Sequence, residues 1–316
     1  MRGMDAVVEY LLTGDPAIRW QVLRDLTDAS PDEVAAERAR VATEGWGARL
    51  LAEQAADGRW DGGTYRPGWV DESRPFFDAW TATHFCLQSL VEFGLDPASP
   101  EAQRAVALVR DNVRWENNDE LYFQGETEPC INGIALTTGA YFGQDAAAIA
   151  ATILATQHDD GGWNCWAEDA AAPGSFHSTI CAIEGLWGWE RQIGKQAELT
   201  AARLRGEEFL LERGLFRRKS TGVIPDLRIT LTSSPVRWFY DILRALDYFR
   251  LARPERDDRC AEAVELLRSK RLENGLFRLE NDHAGPTLFS MDGEHEGYPS
   301  RWVTLRALRV LRWWDA

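Results

Sequence analysis

Apolar positions recur along this chain at the three- to four-residue spacing of helices, and no stretch alternates with the two-residue period of a strand. Twelve helical segments follow: 5–12, 16–27, 32–54, 76–93, 98–114, 130–143, 146–157, 176–190, 197–212, 236–250, 257–271 and 300–313. They are of two kinds. Segments such as ARLLAEQ (48–54), ARLRGEEFLLE (202–212) and AVELLRSKR (263–271) carry charge on one face. Segments such as WTATHFCLQSLVEF (80–93), CINGIALTTGAYF (130–142), FHSTICAIEGLWGWE (176–190), VRWFYDILRALDYF (236–249) and SRWVTLRALRVLRWW (300–314) are apolar on more than one face, which predicts burial on both sides. Ser, Pro or Asp just before several of them is a helix-start signal.

A Gly–aromatic punctuation separates the two kinds. It reads DGRW ending at Trp60, DGGW at Trp163, RGLF at Phe216 and NGLF at Phe277. Each copy follows a polar helical run, where glycine suits the left-handed position just past a helix end and the aromatic can fold back on the last turn. The openings DPAIRWQVLRDL (15–26), SPVRWFYDILRAL (234–246) and YPSRWVTLRALRVL (298–311) resemble one another, and the repeat period is roughly 50 to 60 residues. Alternating polar and apolar helices predict an all-α fold, an (α/α)6 barrel or toroid of about twelve helices in six hairpins, forming a single domain over residues 1–316. The likeness of the first and last inner helices suits a ring that closes on itself. An open superhelix would need polar capping repeats, and the Trp-rich C-terminal segment is not polar.

Two copies of the punctuation are longer motifs: Gln54-Ala-Ala-Asp57-Gly58-Arg-Trp60 and Gln157-His-Asp-Asp160-Gly161-Gly-Trp163. They resemble the QW repeats of squalene–hopene cyclases and related terpene cyclases, and the wider chain resembles bacterial squalene-cyclase-like or prenyltransferase-like proteins. Gly214–Phe216 and Gly275–Phe277 resemble decayed copies. The motif's expected use is structural: Gln bonds free backbone groups at a helix end and Trp packs over it. The resemblance implies the barrel and a small-molecule substrate that is apolar or isoprenoid-like. Two departures bear on the reaction. The chain has neither the DxDD of an alkene-protonating cyclase nor the DDxxD of a magnesium–diphosphate site. Its length also allows one barrel, whereas squalene–hopene cyclases pair two.

Charge narrows the partners. Lys and Arg number 35 against 50 Asp and Glu, a net charge of −15, which repels nucleic acid and anionic membrane surfaces. No apolar run approaches the ~18 residues of a membrane span, and the opening MRGMDAVVEYLLTG has no signal-peptide core. The expectation is a cytoplasmic protein that is not an integral membrane protein; the oligomeric state is not readable. The five cysteines form no CxxC pair. Fourteen tryptophans are many for this length, and they suit either a core between large helices or the wall of an apolar or cationic ligand's cavity.

In such a barrel the first turns of the inner helices line the cavity mouth. The catalytic candidates there are His177, Asp241, His84, Glu128, Tyr240 and Arg301, and the substrate-binding candidates are Trp80, Trp166, Phe176, Trp238, Trp302 and Asn132. His177 or His84 with Asp241 or Glu128 would move a proton in an apolar cavity, where burial raises a carboxylate's pKa, and the aromatic wall would stabilise a carbocation. Against this, Asp241 also suits a salt bridge to Arg237 or Arg244. Cys130, Cys165 and His177 form a candidate zinc trio, as the resemblance to protein prenyltransferase β-subunits implies through their Asp, Cys and His ligands. The polar, Gly-rich segment 281–296 reads as a lid or a plain surface loop. The reading is a terpene-cyclase- or prenyltransferase-like enzyme using acid/base or carbocation chemistry. The alternatives are a non-catalytic ligand-binding barrel and a hydrolase or lyase on a carbohydrate-like substrate.

Overall fold

The computed structural model describes residues 2–71, 73, 79–165, 172–253 and 255–316, with side chains from residue 6 onward. Its helices are α1 (Arg2–Leu12), α2 (Pro16–Leu26), α3 (Pro31–Ala39), α4 (Gly45–Ala52), α5 (Thr83–Phe93), α6 (Pro100–Asn112), α7 (Pro129–Tyr141), α8 (Ala147–Ala155), α9 (Phe176–Ile193), α10 (Ala197–Leu211), α11 (Ile242–Ala252), α12 (Ala261–Ser269) and α13 (Arg301–Asp315). Sheet among the described residues is confined to a two-residue antiparallel ladder that pairs Phe277 with Ser300 and Arg278 with Pro299. The fold is all-α.

The apolar helices form a closed cycle of contacts. α2, α5, α7, α9, α11 and α13 each pack on the next, and α13 packs back on α2. Polar-faced helices pack on this cycle, α8 against α7 and α9, α12 against α11 and α13. The closing seam is polar as well as apolar. Arg309 donates through Nη2 to Gln21 Oε1 at 2.6 Å and pairs through Nε with Asp25 at 2.6 Å. The α7–α9 seam is the tightest: a Cβ on Gly133 would lie 2.3 Å from the Cys181 carbonyl carbon and oxygen, and one on Gly185 2.6 Å from the Gly133 oxygen. Only glycine lets the two backbones approach this closely.

The Gln–Trp motifs are backbone staples, and the two copies match bond for bond. Gln54 Nε2 donates to the carbonyls of Gly58 (3.0 Å) and Ala105 on α6 (3.0 Å); Gln157 Nε2 donates to Gly161 (2.8 Å) and Ala202 on α10 (2.8 Å). Trp60 Nε1 donates to Leu50 O at 2.6 Å and Trp163 Nε1 to Ile153 O at 2.7 Å. Gly58 and Gly161 sit at φ +88° and +86° against the backbone of the following polar helix. A further element of the repeat is a threonine on the next inner helix. Thr83, Thr179 and Thr304 accept the backbone N–H of Trp60 (3.1 Å), Trp163 (3.0 Å) and Phe277 (2.9 Å). Each motif is thus tied to the polar helix beside it, the inner helix after it, or both.

Four boundaries differ from the sequence pattern. The run 32–54 is two helices, because the Asp15 carboxylate that caps α2 also accepts the Trp46 N–H (2.8 Å) and starts a second helix there. The run 257–271 is helical only from Ala261, after a short 3-10 turn at 258–260. Segment 76–93 becomes helical at Thr83, and residues 76–78 lie outside the described residues. The fourth difference matters most. Residues 236–241 are not helical; α11 starts at Ile242, with Asp241 as its N-cap accepting the Arg244 N–H at 2.8 Å.

Candidate functional site

The unwound segment before α11 helps to wall a cavity of about 190 Å³. Cys86, Ser89 and Phe93 line one side, and their i, i+3, i+7 spacing puts them on a single face of α5 over roughly 10 Å of helix. Segment 279–295 covers the other side with Leu279, Leu288, Phe289 and Met291, and Leu50 of α4 adds to the apolar wall. The cover is pinned by Trp80, which donates its backbone N–H to Pro286 O (2.9 Å) and its indole N–H to His283 O (2.6 Å). Of the two readings of segment 281–296, the lid position is the one its residues occupy. The cavity is smaller than the ~300–1,000 Å³ usual for ligand sites, so it suits a slender molecule.

Two residues of the cavity lining hold unusual backbones. Arg237 and His283 both have φ +53°, a region that non-glycine residues enter at some expense and that clusters at functional sites. Arg237 is held there from two sides, its carbonyl accepting from Gln88 Nε2 (2.6 Å) and Arg244 Nη1 (3.2 Å). Its guanidinium lies 5.6 Å from the Trp80 ring centroid. The His283 ring stacks on Phe239, centroids 4.0 Å apart and planes 4° apart, and its Nδ1 meets Asn281 Nδ2 at 3.1 Å. Burial, aided by the nearby Arg237, holds His283 down to about 3, so it is neutral.

The residues singled out from the sequence are placed as follows. Trp80 lines the cavity; Phe176, Trp238 and Trp302 do not, and Trp166 lies outside the described residues. The expected Trp-rich wall is therefore a correction: among the lining residues Trp80 is the single tryptophan, since Trp302 packs against Trp46 and Phe93, Phe176 against Phe209 and Tyr240, and Trp238 against Phe239. Arg301 stacks over Tyr10 and bonds its carbonyl, which ties α13 to α1. Tyr240 is buried, and its hydroxyl donates to Leu215 O. Asn132 is buried and brackets Glu126, accepting its N–H at 2.8 Å and donating to its carbonyl.

The proton-transfer pairs expected of His84, His177, Asp241 and Glu128 do not form. His84 is 0% exposed, contacts Tyr122 through Nδ1 at 3.0 Å, and is held by burial to about 3. His177 Nδ1 accepts the Tyr240 N–H at 2.8 Å, and burial holds it to about 4. Asp241 is raised, first by burial, but its oxygens serve the Arg244 and Ser233 N–H groups. Among the described residues it makes no ion pair with Arg237, and the Arg244 side chain pairs instead with Glu184.

The zinc trio is also corrected. Beside the sulfurs of Cys130 and Cys165 stands the Glu128 carboxylate, not His177. The sulfurs are 2.7 Å apart. Two thiolates on a tetrahedral zinc, with bonds of ~2.3 Å, are ~3.8 Å apart. The neighbouring Cys165 and burial also push the Cys130 thiol up, away from the thiolate a metal needs. As placed, these residues do not fit zinc.

Sequence reasoning missed Arg237 and His283 as site residues. The signal available was Ser233-Ser234-Pro235 followed by Asp241, which marks a turn and then a cap rather than a continuous helix.

No helix among the described residues is long and apolar enough to cross a membrane. No family model matches the chain, and no curated protein matches it. A solved structure similar to it is that of the type II terpene cyclase MstE from Scytonema (apo), at 14% identity, covering 98% of this chain and 96% of that one, with a TM-score of 0.48.

Proposed function

We propose that this chain acts on a small molecule with a slender, apolar, isoprenoid-like body, bound in the cavity between α5 and segment 279–295. The observation that carries this reading is the partly covered cleft itself. A long polar segment is drawn over an apolar helix face and pinned by Trp80, leaving space beneath it that side chains do not fill. A partly covered cleft with one apolar helix face and a few polar groups is the kind of place where small ligands bind. The terpene-cyclase form of the reading rests on the Gln–Trp motifs and the apolar wall. A substrate cation held against the Trp80 indole would compete with and be repelled by the Arg237 guanidinium, whose Cζ lies 5.6 Å from the ring centroid. Carbocation chemistry would therefore run away from Trp80, on the Phe93 side of the lining.

A second reading, a non-catalytic ligand-binding barrel, is favoured by one observation: among the described residues, no histidine is hydrogen-bonded to a carboxylate. The test of the shared claim is a cavity-filling variant. Ser89 faces the space, and Ser89→Phe would fill it. Native mass spectrometry with extraction of bound small molecules is expected to find an apolar compound on the wild-type chain and none on Ser89→Phe. Equal recovery from both would refute the site.

A further inference from the structure

Among the described residues four arginines are buried, and three of them are neutralised. Arg203 pairs with Glu190 and Glu207, Arg244 with Glu184, and Arg309 with Asp25. Arg237 is the exception. It is 5% exposed, yet among the described residues its guanidinium makes no hydrogen bond and no ion pair, and its Nε is buried without a partner. An isolated charge out of water is among the most unfavourable things a fold can contain, and it persists only if something compensates it. The Trp80 face and the nearby Glu92 carboxylate, which is not within ion-pair distance, each compensate in part. The remaining direction is the cavity that Arg237 lines.

The repeat supplies an internal control. Three copies of the inner-helix opening carry Arg-Trp: Arg19-Trp20, Arg237-Trp238 and Arg301-Trp302. In the first, Arg19 is inside α2 and bonds Glu37 (2.6 Å) and Gly14 O (2.8 Å). In the last, Arg301 begins α13 and bonds Tyr10 and Thr13. In the middle copy the helix start is delayed to Ile242 and the arginine is displaced into a left-handed backbone in the cavity lining. The strained backbone is held through its carbonyl by Gln88 and Arg244, while the guanidinium it carries has no hydrogen-bond or ion-pair partner among the described residues. Burial lowers Arg237 to about 10, which still leaves it protonated at neutral pH.

We propose that Arg237 is the anchor for a single carboxylate carried by the ligand, so that the cavity takes a slender monoanionic carboxylic acid, head at Arg237 and apolar body along Ser89 and Phe93. This deepens, and rests on, the cavity reading above. A carboxylate fits because one planar guanidinium fork meets one carboxylate bidentately. A diphosphate fits poorly: among the described residues the lining offers Arg237 as its one arginine, no lysine, and the carboxylates of Asp282 and Glu294.

The test uses octanoate, 1-octanol and octyl phosphate as probes, with binding followed by calorimetry on the full chain. Octanoate is expected to bind the wild type at least tenfold more tightly than either other probe. Arg237→Met is expected to lose that preference, to bind octanoate and octanol alike, and to melt no lower than wild type, since an uncompensated buried charge has been removed. Arg237→Lys, which keeps the charge without the fork, is expected to fall between. If octanoate and octanol bind the wild type equally, or Arg237→Met keeps the preference, the carboxylate anchor is wrong while the cavity stands. A preference for octyl phosphate overturns the carboxylate class. If no probe binds, or all bind Ser89→Phe as well as wild type, the cavity reading itself fails. A much lower melting temperature for both Arg237 variants would make Arg237 a structural residue and overturn the anchor.

Discussion

Replacing Thr83 with Val is a clean test of how the repeat holds the ring together. The two side chains have nearly the same shape, so the change removes the hydroxyl and little else. Thr83 is fully buried, and its Oγ1 is the acceptor for the Trp60 N–H. The Gly63 carbonyl, which the hydroxyl also serves at 2.6 Å, keeps the Thr83 N–H at 3.1 Å. The variant therefore strands one buried donor, a loss of about 1–3 kcal/mol. For 316 residues the unfolding entropy is about 0.7 kcal/mol/K, so ~2 kcal/mol appears as a fall of about 3 °C in melting temperature. Thr179→Val strands the Trp163 N–H and Thr304→Val the Phe277 N–H, so the chain carries its own replicates. Scanning calorimetry and urea titration of the three Val variants beside their Thr→Ser counterparts measure the effect. The expected result is three similar losses with Val, and recovery of most of each with Ser, which keeps the hydroxyl. Val variants as stable as wild type, or Ser variants as poor as Val, would refute the staple.

His84 makes stability depend on pH in a defined direction. Its folded value near 3 lies below the free-imidazole value of 6.5, so the unfolded chain binds the extra proton first, and the contribution present above pH 6.5 is lost as pH falls towards 3. The stability difference between wild type and His84→Phe is expected to be flat above pH 7 and to shift against wild type by about 1.4 kcal/mol per pH unit between 6 and 4, as urea titrations at stepped pH would show. Cys130 and Cys165 are expected to join as a disulfide under diamide, which takes up the two hydrogens and leaves the protein about 2 Da lighter by intact mass. Cys165→Ser should show no such loss, and stoichiometric zinc in the unoxidised protein would contradict the geometry argued above. Gly133→Ala is expected to force α7 and α9 apart at a cost of about 2–3 kcal/mol, whereas Gly188→Ala on the same α9, whose added carbon meets only the Ala140 Cβ at 3.4 Å, should be neutral or slightly stabilising by circular-dichroism melts.

Much of the fold was legible because it depends on period and punctuation. The apolar helices, the glycine stops and the matched Gln–Trp pairs all lie within short windows of sequence. The site was harder to read because its meaning lies in what a residue lacks. Arg237 looks like Arg19 and Arg301 in sequence, and only three-dimensional packing shows that one of the three has a guanidinium with no hydrogen-bond or ion-pair partner among the described residues. Asp241 was misjudged for a related reason: a cap and an acid look alike until the helix start is fixed. The cysteine pair was legible as a pair, since Cys130 opens one inner helix and Cys165 lies in the loop that leads to the next. The third group was not, because Glu128 is two residues from Cys130 while His177 had to be carried in from another helix.

The seam between α13 and α2 joins residues 288 positions apart, as in the bond from Arg309 to Gln21. Almost the whole polypeptide must be in place before those two helices can meet, and contacts at such separation are slow to form because the intervening loop has to be closed first. Refolding should accordingly stall at an arc that has every neighbour pair except this one, and a strong pull on the two ends would open the molecule there before anywhere else.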